Sequence, residues 1–386
     1  MTLLCQKSFF SLDSEVSYLN NAYRGPILKK SEEASLRDLE GMRKPYLVQS
    51  EDFFLGVDRV KGLFADLIHG QRRQVAIVPS TSYGFAVALN NLGNSSRKKA
   101  IAVSDEFPSG YFSLKKWTEE NEGELAVIHP DAKAETLGAD WNERVLQSID
   151  EDTAVVLISS VHWMNGVAFD LEAIGKKCKE TGTVFIVDGT QSVGIQPMDV
   201  KRFGIDALIC ATYKWLLGPY SLALAYFGEL FNSGKPLEES WMNRTNSRNF
   251  SGLTDYQETY LPGAARYDVG ETSHFLTLPI LEQSLLQILE WTPEAMVVYA
   301  RELKKRLAEF QQERGLHLSM DRYHADHLFA LTLPHGTDPQ EVKRQLEQAK
   351  VYVSVRGTSL RVSVNVFNDQ RDVESLMGAL DSRKKF

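Results

Sequence analysis

At 386 residues the chain exceeds the roughly 250–300 at which one hydrophobic core stops growing, so two packed domains are expected. Hydrophobic residues make up 43% and charged residues 24%, which excludes a disordered, collagenous or coiled-coil chain. Forty-three Lys and Arg against 51 Asp and Glu give a net charge of -8 with the signs interleaved, so no nucleic-acid partner is expected.

No apolar run approaches the roughly 18–20 residues of a membrane helix, and MTLLCQKSFFSLDSE lacks the basic start and cleavage site of a signal peptide. A cytoplasmic location without a membrane partner is expected. Cys5, Cys178 and Cys210 share no CxxC or CxH spacing, so reduced thiols are expected, with no disulfide framework and no metal site.

From Gln74 onward short apolar runs alternate with amphipathic stretches. Val75–Val78, Ala100–Val103, Leu125–Ile128, Ala154–Ile158, Val184–Val187, Ala207–Cys210 and Leu222–Tyr226 are four or five residues each and nearly continuous in apolarity, as strands covered on both faces should be. Helix patterns over Gly110–Asn121, Trp141–Ser148 and Leu171–Thr181 sit between most of them. Residues 232–263 show no period. Helices over Leu278–Glu290 and Pro293–Arg314 follow, the second opening on Thr292-Pro293 as N-cap and first residue. A short tail closes the chain: strand Leu328–Leu333, helix Pro339–Ala349, strands Val351–Val355 and Leu360–Val366, and a helix after Asn368-Asp369.

The pattern predicts an α/β fold: a large domain with a seven-stranded, mostly parallel sheet covered by helices, plus a smaller α+β C-terminal domain. The large domain is expected over residues 21–251, the small one over 1–20 and 252–386.

Ligands of such sheets sit beyond the carboxyl ends of the strands. Four junctions there carry polar residues, and all four are expected to face one cleft: Pro79–Gly84, Ser104–Pro108, Asp188–Ser192 and Ala211–Lys214. Ser80, Thr81 and Ser82 precede a helix pattern at Tyr83–Asn91, where free N–H groups suit a phosphate, although Ser and Thr are also ordinary N-caps. Asp188 and Lys214, 26 positions apart (214 minus 188), end two strands. An amine that can form an imine and a carboxylate that holds a pyridine nitrogen protonated are what pyridoxal phosphate needs. Asp-Gly is also a turn dipeptide, but a lysine between Tyr213 and Trp215 at a buried strand's end is poorly placed for an idle charge.

VDGTQSVGIQPMDVKRFGIDALICATYKWLLGP (187–219) resembles the class V aminotransferase group of fold type I pyridoxal-phosphate enzymes, which includes cysteine desulfurases, selenocysteine lyases, kynureninases and isopenicillin N epimerase-like proteins. The likeness runs from Tyr18-Leu-Asn-Asn-Ala22 to Leu360-Arg-Val-Ser363 and Phe367-Asn368. It implies that Lys214 forms the imine with pyridoxal phosphate, Asp188 pairs with the pyridine nitrogen, and Gln191 donates to the ring's phenolic oxygen. It further places Thr81, Ser82 and Tyr213 at the phosphate, Phe107 on the ring face, Arg361 at the substrate's α-carboxylate, and Asn21 in the pocket wall with Tyr23 and Arg24. His162–Asn165 and the 240–265 region with Trp241, Arg244 and Arg248 are further walls.

Three departures from the family pattern stand out. Trp163 occupies the position of an Asn that contacts the ring oxygen, so it meets the cofactor without that contact. Gly270-Glu271 replaces Gly-Thr, which weakens a phosphate contact from a second subunit, with Thr272 adjacent. The stretch Val351–Leu360 holds no cysteine where desulfurases carry their nucleophile. The resemblance therefore implies a homodimeric enzyme acting on an amino acid through an external aldimine, by transamination, lyase or epimerase chemistry but not by a cysteine persulfide. A catalytically silent protein of the same fold is the alternative. A nicotinamide enzyme is disfavoured because no G-x-G-x-x-G follows the first strand.

Overall fold

The computed structural model describes residues 3–93, 96–312 and 318–381. In chain order the elements are β1 (Ser17–Tyr18), α1 (Lys29–Met42), α2 (Asp52–Leu67), β2 (Val75–Val78), α3 (Thr81–Asn90), β3 (Lys99–Val103), α4 (Pro108–Glu120), β4 (Glu124–Ile128), α5 (Leu137–Ser148), β5 (Thr153–Ser159), α6 (Leu171–Thr181), β6 (Val184–Asp188), β7 (Ala207–Ala211) and β8 (Ala223–Phe227). There follow α7 (Leu278–Trp291), α8 (Pro293–Gln312), β9 (Leu328–Thr332), α9 (Pro339–Gln348), β10 (Val351–Tyr352), β11 (Ser354–Arg356), β12 (Ser359–Ser363) and α10 (Gln370–Asp381).

The seven apolar runs form one sheet in the order β2-β8-β7-β6-β5-β3-β4, with β8 alone antiparallel to its neighbours. The carboxyl ends of the other six therefore share one rim. Six strands are almost wholly buried because helices cover both faces. β4 departs from the expectation of full burial: it is the edge strand beside β3, and its residues are half-exposed or exposed. Helices α1 and α2 were not read from the sequence, yet α2 buries Val57, Val60, Phe64 and Leu67 at helical spacing.

Thr292 does cap α8, its Oγ1 accepting the Ala295 N–H at 3.3 Å. The expected end of that helix at Arg314 lies outside the described residues. The run Val351–Val355 splits at Val353, because Val351 and Tyr352 pair with Ser17 and Tyr18 while Ser354–Arg356 turn back on β12. β12 stops at Ser363, where the following backbone turns to His327 and Asn368.

Leu278, Leu281, Leu285, Ile288 and Met296 pack with the large sheet and α2. Leu19 joins Ala300, Leu303, Phe329, Leu360 and Leu376 in a separate small core. Among the described residues no helix is long and apolar enough to cross a membrane.

Candidate active site

The rim at the ends of β5, β6 and β7 is stitched into one surface. Ser159 lies beside Asp188, and Asp188 beside Ile209, in register. The Ser160 N–H donates to Asp188 O at 3.0 Å, Ser160 and Ser192 share a hydroxyl contact at 2.6 Å, and the Ala211 N–H donates to Thr190 Oγ1 at 3.1 Å. A cleft of ≈ 320 Å³ opens there, lined by Thr81, Phe107, Trp163, Asp188, Gln191, Tyr213 and Lys214 together with Ser159, Thr190 and Ala211. Residues expected from four separate junctions thus meet.

Asp188 is 5% exposed, and one carboxylate oxygen accepts the Thr190 N–H at 2.9 Å. Burial raises its pKa, opposed by Thr190 and by Lys214. Its ionised form is therefore best served by a cation in the cleft. Lys214 is 7% exposed, its Nζ 5.5 Å from the Phe107 ring centre and 5.7 Å from that of Tyr213. Burial pushes its amine down to about 8 against the pull of Asp188, and Arg361 and Arg356 push the same way. A partly neutral amine near pH 8 is ready to act as nucleophile or base.

Gln191 is held from both ends, its Oε1 accepting from Trp215 Nε1 at 2.8 Å and its Nε2 donating to Ala22 O at 3.3 Å. One amide hydrogen remains for the cleft. His327, buried and pushed down to about 4 by its burial, contacts Gln191 O at 2.7 Å and meets Trp215 edge-on.

Phe107 and Trp163 meet edge to face at 5.5 Å. Trp163 Nε1 donates to Asp105 O at 2.7 Å, so its only polar hydrogen is engaged and the ring serves as wall. Asp105 has φ 51, a left-handed conformation that Asp tolerates, and its carbonyl also contacts His162 Nε2 at 3.1 Å. Gly166 stops the same loop at φ +78, where a Cβ would lie 2.1 Å from Leu328 O.

Sequence reasoning missed Glu106. Wholly buried, its carboxylate is raised to about 7 by that burial. It accepts the Phe107 N–H at 2.7 Å and the Ser159 N–H at 2.8 Å, clamping two residues of the cleft. Its position between Asp105 and Phe107 reads as a turn in the sequence, and only its burial separates it from any other loop glutamate.

Thr81 opens α3 at the cleft, with Ser80 as N-cap accepting the Tyr83 N–H at 3.2 Å. Ser82 is not brought in with it: it is exposed and its hydroxyl pairs with Ser80 at 2.9 Å. One helical turn cannot aim consecutive side chains the same way.

A second lobe of ≈ 850 Å³ adjoins the first across Phe107, Trp163, Tyr213 and Lys214. The segment 20–25 forms part of its wall, tied to β12 by Ala22 N–H to Ser363 Oγ at 2.8 Å and to the lysine loop by Gly25 N–H to Tyr213 O at 2.9 Å. A Cβ on Gly25 would lie 2.3 Å from Lys214 O, so the approach requires glycine. Asn21, expected in the pocket, is instead fully buried behind it, its Nδ2 donating to Lys214 O at 3.4 Å. Ala22, Tyr23 and Arg24 line the lobe.

Arg361 enters this lobe from β12, the middle strand of the order β11-β12-β9. It is 1% exposed, donates from Nη1 to Trp163 O at 2.9 Å, and has no partner for Nε or Nη2. Two buried guanidinium donors without acceptors mark a place for an anion.

The 240–265 region does not wall the cleft within one chain. Trp241 and Arg244 line a separate depression, Arg244 packs over Tyr260 at 4.2 Å, and Arg248 bonds Asp58 at 2.7 Å. Thr272 is 2% exposed with its hydroxyl 3.8 Å from Met242 Sδ.

The fold and the lysine–aspartate cleft define an α/β protein built around a buried reactive amine at a sheet rim. The chain belongs to the aminotransferase class-V family, whose sequence profile matches residues 46–376. An uncharacterized aminotransferase of Bacillus subtilis is 26% identical over 257 residues, 66% of this chain and 65% of that protein. The chain thus matches somewhat less than two thirds of that relative's length. The apo structure of a cysteine desulfurase from Thermococcus onnurineus superposes with a TM-score of 0.81 at 18% identity, over 98% of this chain and 96% of the other. A mutant of C-DES with glycine covalently linked to its PLP cofactor gives 0.86 at 15%, over 97% and 98%.

Proposed function

We propose that the protein is a pyridoxal-phosphate enzyme acting on an amino acid by aminotransferase-, lyase- or epimerase-type chemistry, as a homodimer. The observation that carries the reading is the enclosure of Lys214 and Asp188 in one cleft, an amine near its titration point beside a buried carboxylate in want of a cation. The residues present fit the cofactor. Asp188 suits the pyridine nitrogen, the α3 N-terminus with Thr81 suits the phosphate, and Phe107 and Trp163 supply apolar walls for a flat ring.

Pyridoxal phosphate, when bound, supplies a sink for negative charge developing at the substrate's α-carbon. Lys214 Nζ would hold the cofactor, and as the amine in the cleft it would be the group placed to take or return the α-proton. Gln191, fixed by Trp215, keeps one N–H toward the cleft. Arg361 receives the α-carboxylate on Nε and Nη2. The purified protein should show a visible absorption band after addition of pyridoxal phosphate. Borohydride reduction followed by peptide mapping should place the label on Lys214, and a label elsewhere would contradict the reading.

The Arg361 grip gives a graded expectation. A bidentate charge-assisted contact contributes roughly 1.5–3 kcal/mol, and Lys keeps the charge without the fork. Arg361→Lys should raise KM for an amino acid about tenfold or more while leaving the cofactor's visible band unchanged. An equal effect on an amine that lacks the carboxylate would show that Arg361 supports the pocket in another way.

The reaction proposed uses no protein thiol. Cys210 is buried, its SH near Gly189 O and its pKa raised well above normal by that burial. Burial pushes Cys178 up to about 12, and Cys5 lies 3.7 Å from Phe367 O. None of the three lines either lobe. Replacing all three by serine should leave turnover of the native substrate within about twofold, measured on folded, cofactor-loaded protein. Loss of catalysis in that variant would restore a persulfide mechanism like that of the desulfurases.

A further inference from the structure

The short hairpin that delivers Arg361 delivers a second guanidinium. In β11 and β12 Ser354 faces Arg361 and Arg356 faces Ser359, joined by the two-residue turn Gly357-Thr358 with Gly357 at φ +56. Alternation along a strand puts residues 354, 356, 359 and 361 on one face. Leu360 on the other face belongs to the small-domain core, with Val355 packed against it. Arg356 and Arg361 therefore project together into the second lobe, and both line it.

Arg356 is committed to little within the chain. Its Nη1 donates to the adjacent Val355 O at 2.7 Å and its guanidinium lies 5.3 Å from the Trp163 ring centre. Its Nε is buried without a partner, as are Nε and Nη2 of Arg361. The lobe also holds Arg24 and Lys214, and no carboxylate lines it among the described residues. One α-carboxylate satisfies Arg361 and leaves Arg356 with a buried donor facing an uncompensated positive wall.

We infer that Arg356 is a specificity-determining residue, and that the substrate is an amino acid whose side chain carries a second anionic group, a carboxylate or a sulfur oxyanion, gripped by Arg356 while Arg361 holds the α-carboxylate. This rests on the pyridoxal-phosphate reading of the adjoining cleft. Arg24, exposed at the lobe's mouth, adds attraction for a doubly charged ligand. Tyr23 and Tyr220 complete a polar, acid-free rim.

Calorimetric titration of the cofactor-loaded protein with succinate and with butyrate, four-carbon acids differing by one carboxylate, tests the inference without needing turnover. Succinate is expected to bind at least about tenfold more tightly, the worth of one further charge-assisted contact. Arg356→Gln should shrink that ratio to about twofold or less, and Arg361→Gln should weaken both acids. Arg356→Lys should keep part of the preference, since it retains charge but not the planar fork. Equal affinities in the wild type, or a ratio that survives Arg356→Gln, would overturn the inference. So would an Arg356→Gln variant altered only in its pH profile, because Arg356 would then act solely on the Lys214 amine. Failure of the underlying reading is separately visible, as a protein that borohydride cannot label with pyridoxal phosphate at Lys214.

Discussion

Lys214→Ala is expected to fold, to bind pyridoxal phosphate only reversibly, and to lose turnover by at least about 10²–10⁴-fold, the range a positioned base contributes. Two other buried lysines sharpen the test. Lys304 is also buried and pushed down to about 8 by burial, but it sits on α8 with its Nζ 3.0 Å from Ala325 O, in the small domain away from the cleft. Lys61 is buried against Asp268 in an ion pair that engages its amine. Burial alone therefore does not single out Lys214; its place beyond β7 in one cleft with Asp188 does. Borohydride labelling of the wild type should mark Lys214 and spare Lys304 and Lys61.

The same amine sets a pH dependence. A buried lysine at about 8 instead of its ordinary 10.5 is half neutral at about pH 8, and only the neutral form attacks a carbonyl. Uptake of the cofactor by apoprotein should therefore accelerate as pH rises through about 8 and level off above it. A rate that climbs steadily to about pH 10 would mean an ordinary solvated lysine.

How much of this was legible in the sequence follows the physics of each element. The seven large-domain strands were readable to within a residue or so because strands buried on both faces must be continuously apolar, and Val75–Val78 or Val184–Val187 have no other use for such runs. Asp188 and Lys214 were readable because polar residues ending those runs stand out. Glu106 was not, since a carboxylate in a loop looks solvated until the fold closes over it. Asn21 and Ser82 fell on the right segments but do not line either lobe, a matter of side-chain placement that linear order does not carry. Arg356 became informative only once the hairpin register put it on the face of Arg361. The apolar face of α7, amphipathic in sequence, packs with the large sheet and α2, a choice of partner no periodicity records.

Asp188→Asn should be the most telling single-atom change. Asn retains the size of the side chain and an acceptor for the Thr190 N–H, so the turn at the end of β6 should persist and borohydride should still label Lys214. What disappears is the charge. Asp188 is buried, and burial raises its pKa, so its ionised form gains most from a cation placed against it, and a protonated pyridine nitrogen is such a cation. An opposite charge close by favours the protonated form by roughly 1–3 pKa units, each about 1.4 kcal/mol, so turnover should fall by about 10–10³-fold. The variant carries a second, independent signature. Asp188 is the group that holds the Lys214 amine up against burial, so its neutralisation should move the lysine's titration further below 8, and cofactor uptake by the apoprotein should reach its plateau at lower pH than in the wild type. A variant with near-normal turnover would refute the electron-sink role of Asp188. One with lowered turnover but an unmoved uptake profile would mean that the carboxylate and the amine do not share one electrostatic environment, contrary to their place in a single cleft.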